Sequence, residues 1–93
     1  MDKIFKALAD INRRKILTLL KNDDSNVSNI VKKLDIGQPT VSSHLAVLRK
    51  AGLVEVTVKS KERIYKLKRE VFNSFIKQLN SFMSDEIIIR RIN

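Results

Sequence analysis

No cysteine occurs anywhere in the sequence, and that absence excludes disulfides, zinc ribbons and a cysteine nucleophile. Glycine occurs only at Gly37 and Gly52, so no glycine-rich loop is available to cradle a phosphate. His44 is the single histidine, and no Ser, His and Asp grouping or paired carboxylate stands at a useful spacing; an enzyme is not expected. Acidic residues are few, 10 against 19 Lys and Arg, which leaves a net charge of +9. The opening MDKIFKAL is charged at Asp2, Lys3 and Lys6 and holds no apolar run long enough for a signal peptide or a membrane span, so a cytoplasmic protein is expected. A chain of 93 residues fits one domain, residues 1–93, with a single modest core.

The positive charge is unevenly placed. From Arg49 to Arg69 eight Lys or Arg face only Glu55 and Glu62, a local balance of +6. A basic stripe is the electrostatic footprint of a polyanionic partner. Nucleic acid of either kind or an anionic membrane satisfies it, and a solubilising surface is the plainer alternative.

The stretch IGQPTVSSHLAVLRKAG, residues 36–52, organises the rest. Val41, Leu45 and Leu48 recur at i, i+4 and i+7, the stripe of a helix packed by one face, with limits of roughly Gly37 to Ala51. Pro39 suits the first turn, and Gly52 stands where a C-terminal cap needs a left-handed residue. At about 100° per residue, Pro39, Ser42, Ser43, Ala46 and Lys50 point away from the stripe, with Gln38 and Arg49 at its edge. Gln and Ser can bond base edges in a DNA major groove, and Arg or Lys can reach guanine or phosphate. Taken alone, this helix fits a plain amphipathic surface helix equally well. His44, beside Val41 and Leu48, is expected at the edge of the core, hydrogen-bonded near the backbone, rather than as a ligand or catalyst.

The neighbouring segments supply the context. Residues 3–9 form a short helix with Ile4, Phe5 and Leu8 on one side. Asp10 caps the next helix, whose apolar side is Ile16, Leu17, Leu19 and Leu20, with Arg13 and Arg14 expected to be solvated. NDDSN, residues 22–26, is a polar turn ending in an N-cap. Val27, Ile30, Val31 and Leu34 then define a two-turn helix, so residues of about 27–51 read as a helix-turn-helix. Leu53–Lys59 alternates as a half-buried strand, and Arg63–Leu67 gives a second with Tyr65 and Leu67 on one face. The tip at Ser60, Lys61 and Glu62 lacks the Asn-Gly or Asp-Gly of a tight primed turn, so a longer, mobile loop is expected. Within this hairpin, about 54–67, Lys59, Lys61 and Arg63 can lie along phosphate or in a minor groove.

From Arg69 a helix returns, with Val71, Phe72, Phe75, Ile76, Leu79, Phe82 and Met83 as its apolar stripe. It holds three of the four phenylalanines and is wider than a small domain needs, which suggests a dimer face over about 69–83 together with 3–9. The expected interface residues are Ile4, Phe5, Leu8, Phe72, Phe75, Ile76, Leu79 and Phe82; cover by the first helix within one chain is the alternative. Residues 84–93 stay open between a last helix capped by Ser84, with a Glu86–Arg90 pair, and a strand favoured by Ile87 to Ile89.

The run ALADINRRKILTLL, then VSNIVKKLDIGQPTVSSHLAVLRKAGLV, then a basic hairpin ending ERIYKL, resembles the winged-helix repressors of the ArsR (ArsR/SmtB) family. The resemblance covers roughly residues 3–83, and QPTVSSHLAVLRKAGLV is its most specific part. It implies a mainly α winged helix-turn-helix with a small β-hairpin, in the order α-α-α-α-β-β-α. It also implies a homodimeric repressor of bacteria or archaea, with dimer contacts from the first and last helices. Gln38, Thr40, Ser42 and Ser43 correspond to the family's DNA-contacting positions; Thr40 lies to one side of the reading face and is expected on phosphate. With Arg49, Lys50, Lys59, Lys61 and Arg63 these make up the expected DNA-binding set.

Two departures bear on geometry: Ile11 stands where the family often has proline, and Lys61-Glu62 replaces a common wing glycine. Many members sense metals through cysteines in the helix that here reads NVSNIVKKL. Without a thiolate, and with Glu70, Asp85 and Glu86 offering at most a weak hard-ion site, no metal or cofactor is expected. The expected partners are double-stranded DNA and a second copy, the expected function an operator-binding repressor, acting on its own gene in one version. The other class of function is a winged-helix module that docks another protein through its last helix and binds nucleic acid only nonspecifically.

Overall fold

The computed structural model describes the backbone of residues 1–92 and the side chains of residues 1–84. The element order is α1 (Asp2–Leu8), α2 (Ile11–Asn22), β1 (Ser25–Asn26), α3 (Val27–Leu34), α4 (Gln38–Lys50), β2 (Val54–Lys59), β3 (Glu62–Leu67) and α5 (Arg69–Ile92). This is the expected mainly helical winged helix-turn-helix with one addition, the two-residue strand β1. It sits within the polar run read as a turn and pairs antiparallel with β3, Ser25 opposite Tyr65 and Asn26 opposite Ile64, giving a three-stranded sheet in the order β1-β3-β2. So short a strand leaves no alternating pattern to read. Asn26 still caps α3 as expected, its side chain accepting from the Asn29 N–H at 2.8 Å.

Helices α2, α3 and α4 close on one core. Ile16 and Leu20 of α2, Ile30 of α3, Val41, Leu45 and Leu48 of α4, and Leu53 and Val54 beyond it are all essentially inaccessible to solvent. Each such side chain is worth about 1.5–3 kcal/mol of transfer free energy. Helix α4 ends as its sequence demands. Gly52 takes φ +77°, its N–H bonds to the Arg49 carbonyl at 3.0 Å, and the Leu53 N–H bonds to the Leu48 carbonyl at 3.0 Å. This is a Schellman cap, and buried Leu48 and Leu53 form its apolar pair. It turns the chain straight from α4 into β2.

Three expectations are corrected, and one segment left open is assigned. Arg14 is exposed as expected, though it donates to the Leu8 carbonyl at 2.7 Å, whereas Arg13 is half-buried and donates to the carbonyls of Ala7 at 2.7 Å and Lys6 at 2.8 Å. The carbonyls ending α1 have no partners within the helix, and cations on the following helix fill them. His44 is 13% exposed at its side chain, but its neighbours are side chains, not backbone: Arg13 Nη1 lies 3.4 Å from Nδ1 and Asp10 Oδ1 3.8 Å from Nε2.

The wing tip is not a longer loop. Lys59 pairs with Glu62, leaving a two-residue turn in which Ser60 and Lys61 have φ +48° and +68°. Strand twist selects this primed turn even without glycine, at about 1–2 kcal/mol for each left-handed residue. The segment left open between helix and strand continues α5, which runs unbroken from Arg69 to Ile92, because β-branched residues disfavour a helix by only about 0.7 kcal/mol or less each. The Glu86–Arg90 pair, and the side chains of Asp85 and Glu86 in the weak ion site, lie outside the described residues.

Candidate nucleic-acid interface

The site is built around α4. Its buried stripe faces α2 and α3, and the opposite surface carries exposed Pro39, Ser43, Ala46 and Lys50. Two shoulders flank that surface. On one stand Gln38, Ser42 and Arg49, and here the wing closes a groove of about 630 Å³ in which these residues, with Ala46 and Lys50, meet Arg63 and Tyr65 of β3. The other shoulder carries Thr40 and His44 toward the α1–α2 corner. The structure thus brings Gln38, Ser42, Arg49, Lys50 and Arg63 together. Ser43 lies on the central outward face, Thr40 apart from the groove, and Lys59 and Lys61 at the wing tip; all four are exposed.

Register explains the wing's contribution. Val54, Val56 and Val58 share a face of β2, opposite Leu67, Tyr65 and Arg63 of β3. The core-facing face therefore runs out past the core: Val54 is buried, Val56 half-buried and Val58 66% exposed, and where the core ends Tyr65 gives way to Arg63. An apolar side chain with cations beside it is the composition that proteins present to a minor groove. Val58 was missed in the sequence because strand alternation assigns it to the core; its closeness to the turn was the available signal.

The wing is fastened to the helix-turn-helix. Asn26, while capping α3, also donates through Nδ2 to Glu62 Oε1 at 3.0 Å. Among the described residues the only salt-bridge-type contact is His44 Nε2 to Asp10 Oδ1 at 3.8 Å, so Arg49, Lys50, Lys59, Lys61 and Arg63 have no carboxylate partner there. On the far shoulder Asp10 caps α2 by accepting from the Asn12 and Arg13 N–H groups at 2.8 and 3.2 Å. The Arg13 N–H chiefly, then the Asn12 N–H and the neighbouring His44 and Arg13 side chains, hold the Asp10 carboxyl below its ordinary 3.8 against the opposing effect of desolvation. This corner orients α4 and offers no reactive group. Among the described residues no group of three or more His, Cys, Asp or Glu could hold a metal ion, and no helix is long and apolar enough to cross a membrane.

The expected dimer residues divide. Ile4, Leu8 and Phe72 pack partly against the chain's own core. Phe75 is 6% exposed beneath Phe5, ring centroids 5.4 Å apart and edge-on at 73°. Leu79 is half-buried. Phe5 at 48%, Ile76 at 49%, Phe82 at 62% and Met83 at 50% remain open. Cover within the chain thus accounts for Phe72 and Phe75 but leaves Ile76, Phe82 and Met83 open.

A two-helix unit presenting an uncharged polar face, with a basic hairpin fastened beside it, defines a winged helix-turn-helix DNA-binding protein. The family described as "Bacterial regulatory protein, arsR family" matches residues 10–56. The chain is 33% identical over 84 residues to the transcriptional repressor SdpR of Bacillus subtilis, covering 90% of this chain and 93% of that one. An ArsR-like transcriptional regulator of Rhodococcus superposes with a TM-score of 0.88 at 27% identity, over 98% of this chain and 84% of the other. The homodimeric winged helix-turn-helix DNA-binding domain of Mb0332 from Mycobacterium bovis, at 24% identity and a TM-score of 0.74 over 92% and 80% of the two chains, shares the fold. The protein belongs to the ArsR family, a family of DNA-binding transcription regulators and not of enzymes.

Proposed function

We propose that this regulator acts as a cytoplasmic homodimeric repressor of an inverted-repeat operator, including one in its own promoter. Gln38, Ser42 and Ser43 read base edges in the major groove, Thr40 meets phosphate at the start of α4, and Arg49, Lys50, Lys59, Lys61 and Arg63 hold the backbone on either side. The observation that carries this reading is the groove shared by α4 and the wing, where hydrogen-bonding side chains with no charge stand among cations that have no carboxylate partner among the described residues. Uncharged polar groups discriminate bases, and cations supply affinity without discrimination.

A two-fold pair joined through α1 and α5 sets two copies of α4 about 34 Å apart, one turn of duplex. The open apolar residues Phe5, Ile76 and Phe82, along with Ile4, Leu8, Phe72, Phe75 and Leu79, form the joining surface. The same open stripe would serve the second reading, a module docking a different protein. Titrating the protein against a palindromic promoter fragment and a scrambled duplex separates the two. A repressor gives a specificity ratio of about 10³ or more, and a docking module gives a ratio near one.

A further inference from the structure

Helix α2, the end of β3 and the first turns of α5 form an open cavity of about 530 Å³ that shares no lining residue with the groove beside α4. Its volume falls within the range of small-molecule sites, roughly 300–1,000 Å³. The wall is apolar: Leu17 of α2 is buried, and Leu67 of β3 and Phe72 of α5 are half-buried. The rim is polar and cationic, with exposed Lys21 near the end of α2 and exposed Arg69 at the start of α5. Thr18 and Asn73 add hydrogen-bonding groups there, and no Asp or Glu lines the cavity.

Arg69 is held in place. Its guanidinium donates to the Lys21 carbonyl at 2.6 Å, one of the carbonyls that α2 leaves without a helical partner at its end. The cation offsets the negative end of α2, and a guanidinium has further N–H donors beyond the one this bond uses. Among the described residues neither Lys21 nor Arg69 has a carboxylate within ion-pair distance. A fixed guanidinium can bind a carboxylate or sulfonate through two parallel hydrogen bonds, and an ammonium beside it adds a point charge.

We infer that this cavity binds a small amphipathic organic anion, its hydrocarbon or aromatic body against Leu17, Leu67 and Phe72 and its acid group on Lys21 and Arg69. The site goes beyond the DNA-binding reading and does not depend on it. None of its four rim residues is among those proposed to join two protomers.

Two fluorescent molecules test the site: anilinonaphthalenesulfonate, an aromatic anion, and phenylnaphthylamine, the same skeleton without the sulfonate. The parent binds the anion at one saturable site per protomer and more tightly than the amine. Lys21→Gln and Arg69→Gln each weaken the anion about tenfold or more and leave the amine unchanged. Lys21→Gln is the cleaner of the two, since the carbonyl that holds Arg69 stays in place. Asn73→Trp, which sets a large ring into the cavity from an exposed position, removes both molecules. Phe82→Asp, on the open stripe of α5 outside the cavity lining, changes neither. Binding lost in Phe82→Asp but kept in Asn73→Trp would put the molecules on that stripe and overturn the cavity. Parental affinity for the anion in both glutamine variants would overturn the acid-group contacts, and a parent without saturable binding of the anion would overturn the site.

Discussion

In α4 the stripe of Val41, Leu45 and Leu48 is at most 1% exposed, while along α5 cover fails soon after Phe75, leaving Ile76 at 49% and Phe82 at 62%. Both helices are amphipathic, but one has its apolar face satisfied within the chain and turns small polar side chains outward. The other keeps apolar side chains in water. An α-helix exposes what its partner must complement: hydrogen-bonding and cationic groups in the first case, apolar area in the second. The joint between the two regions is the α1–α2 corner, where Arg13 bonds the end of α1 and touches His44 of α4.

Breaking the comparison begins on its buried side. Leu45→Ala should lower unfolding free energy by about 2–5 kcal/mol, measured by urea denaturation, because a filled core position is emptied. On the other side, Phe82→Asp should leave protomer secondary structure intact while weakening association. Each buried aromatic or aliphatic side chain at such an interface is worth about 1.5–3 kcal/mol, so sedimentation at micromolar concentration should show less dimer, with operator affinity falling in parallel. Phe75→Asp is the less selective test, since Phe75 already lies under Phe5 and its loss disturbs the protomer.

Ser43→Ala and Gln38→Ala sharpen the polar face: each lost base contact should reduce discrimination by about 1–3 kcal/mol with no change in Tm. Arg63→Ala should instead weaken all duplexes equally and flatten the salt dependence. The smallest expected effect is at the joint. A carboxyl whose pKa is lower folded than unfolded stabilises the fold fully above its unfolded value and loses that contribution as pH falls through the folded one. Asp10 should therefore stabilise the protein above its ordinary 3.8 and cease to do so at more acid pH. Comparing thermal unfolding of the parent and Asp10→Asn across pH 2–6 should show the two curves converging at the acid end.

The parts legible in the sequence were those governed by local periodicity and capping. Val41, Leu45 and Leu48 marked α4, Asp10 and Asn26 marked the starts of α2 and α3, and Gly52 marked a left-handed cap. What escaped depends on distant partners. β1 exists only because β3 lies beside Ser25 and Asn26, and Arg13 is half-buried only because the end of α1 folds back onto it. The wing turn was misread for a related reason: turn chemistry argued against a two-residue loop, but the Lys59–Glu62 pairing imposed one. Of the candidate interface, the polar face of α4 could be read residue by residue. Its closure with Arg63 into a single groove required the fold.

The central claim, that the outward face of α4 reads sequence on two half-sites, is tested most directly by selecting bound duplexes from a randomised pool with the parent protein and with Ser43→Ala. The account predicts that the parent enriches an inverted repeat with half-site centres one helical turn, about 10 base pairs, apart. Ser43→Ala should recover the same spacing with relaxed preference at one symmetric pair of positions. Enrichment of no repeat by the parent, or an identical preference at every position from both proteins, would contradict it.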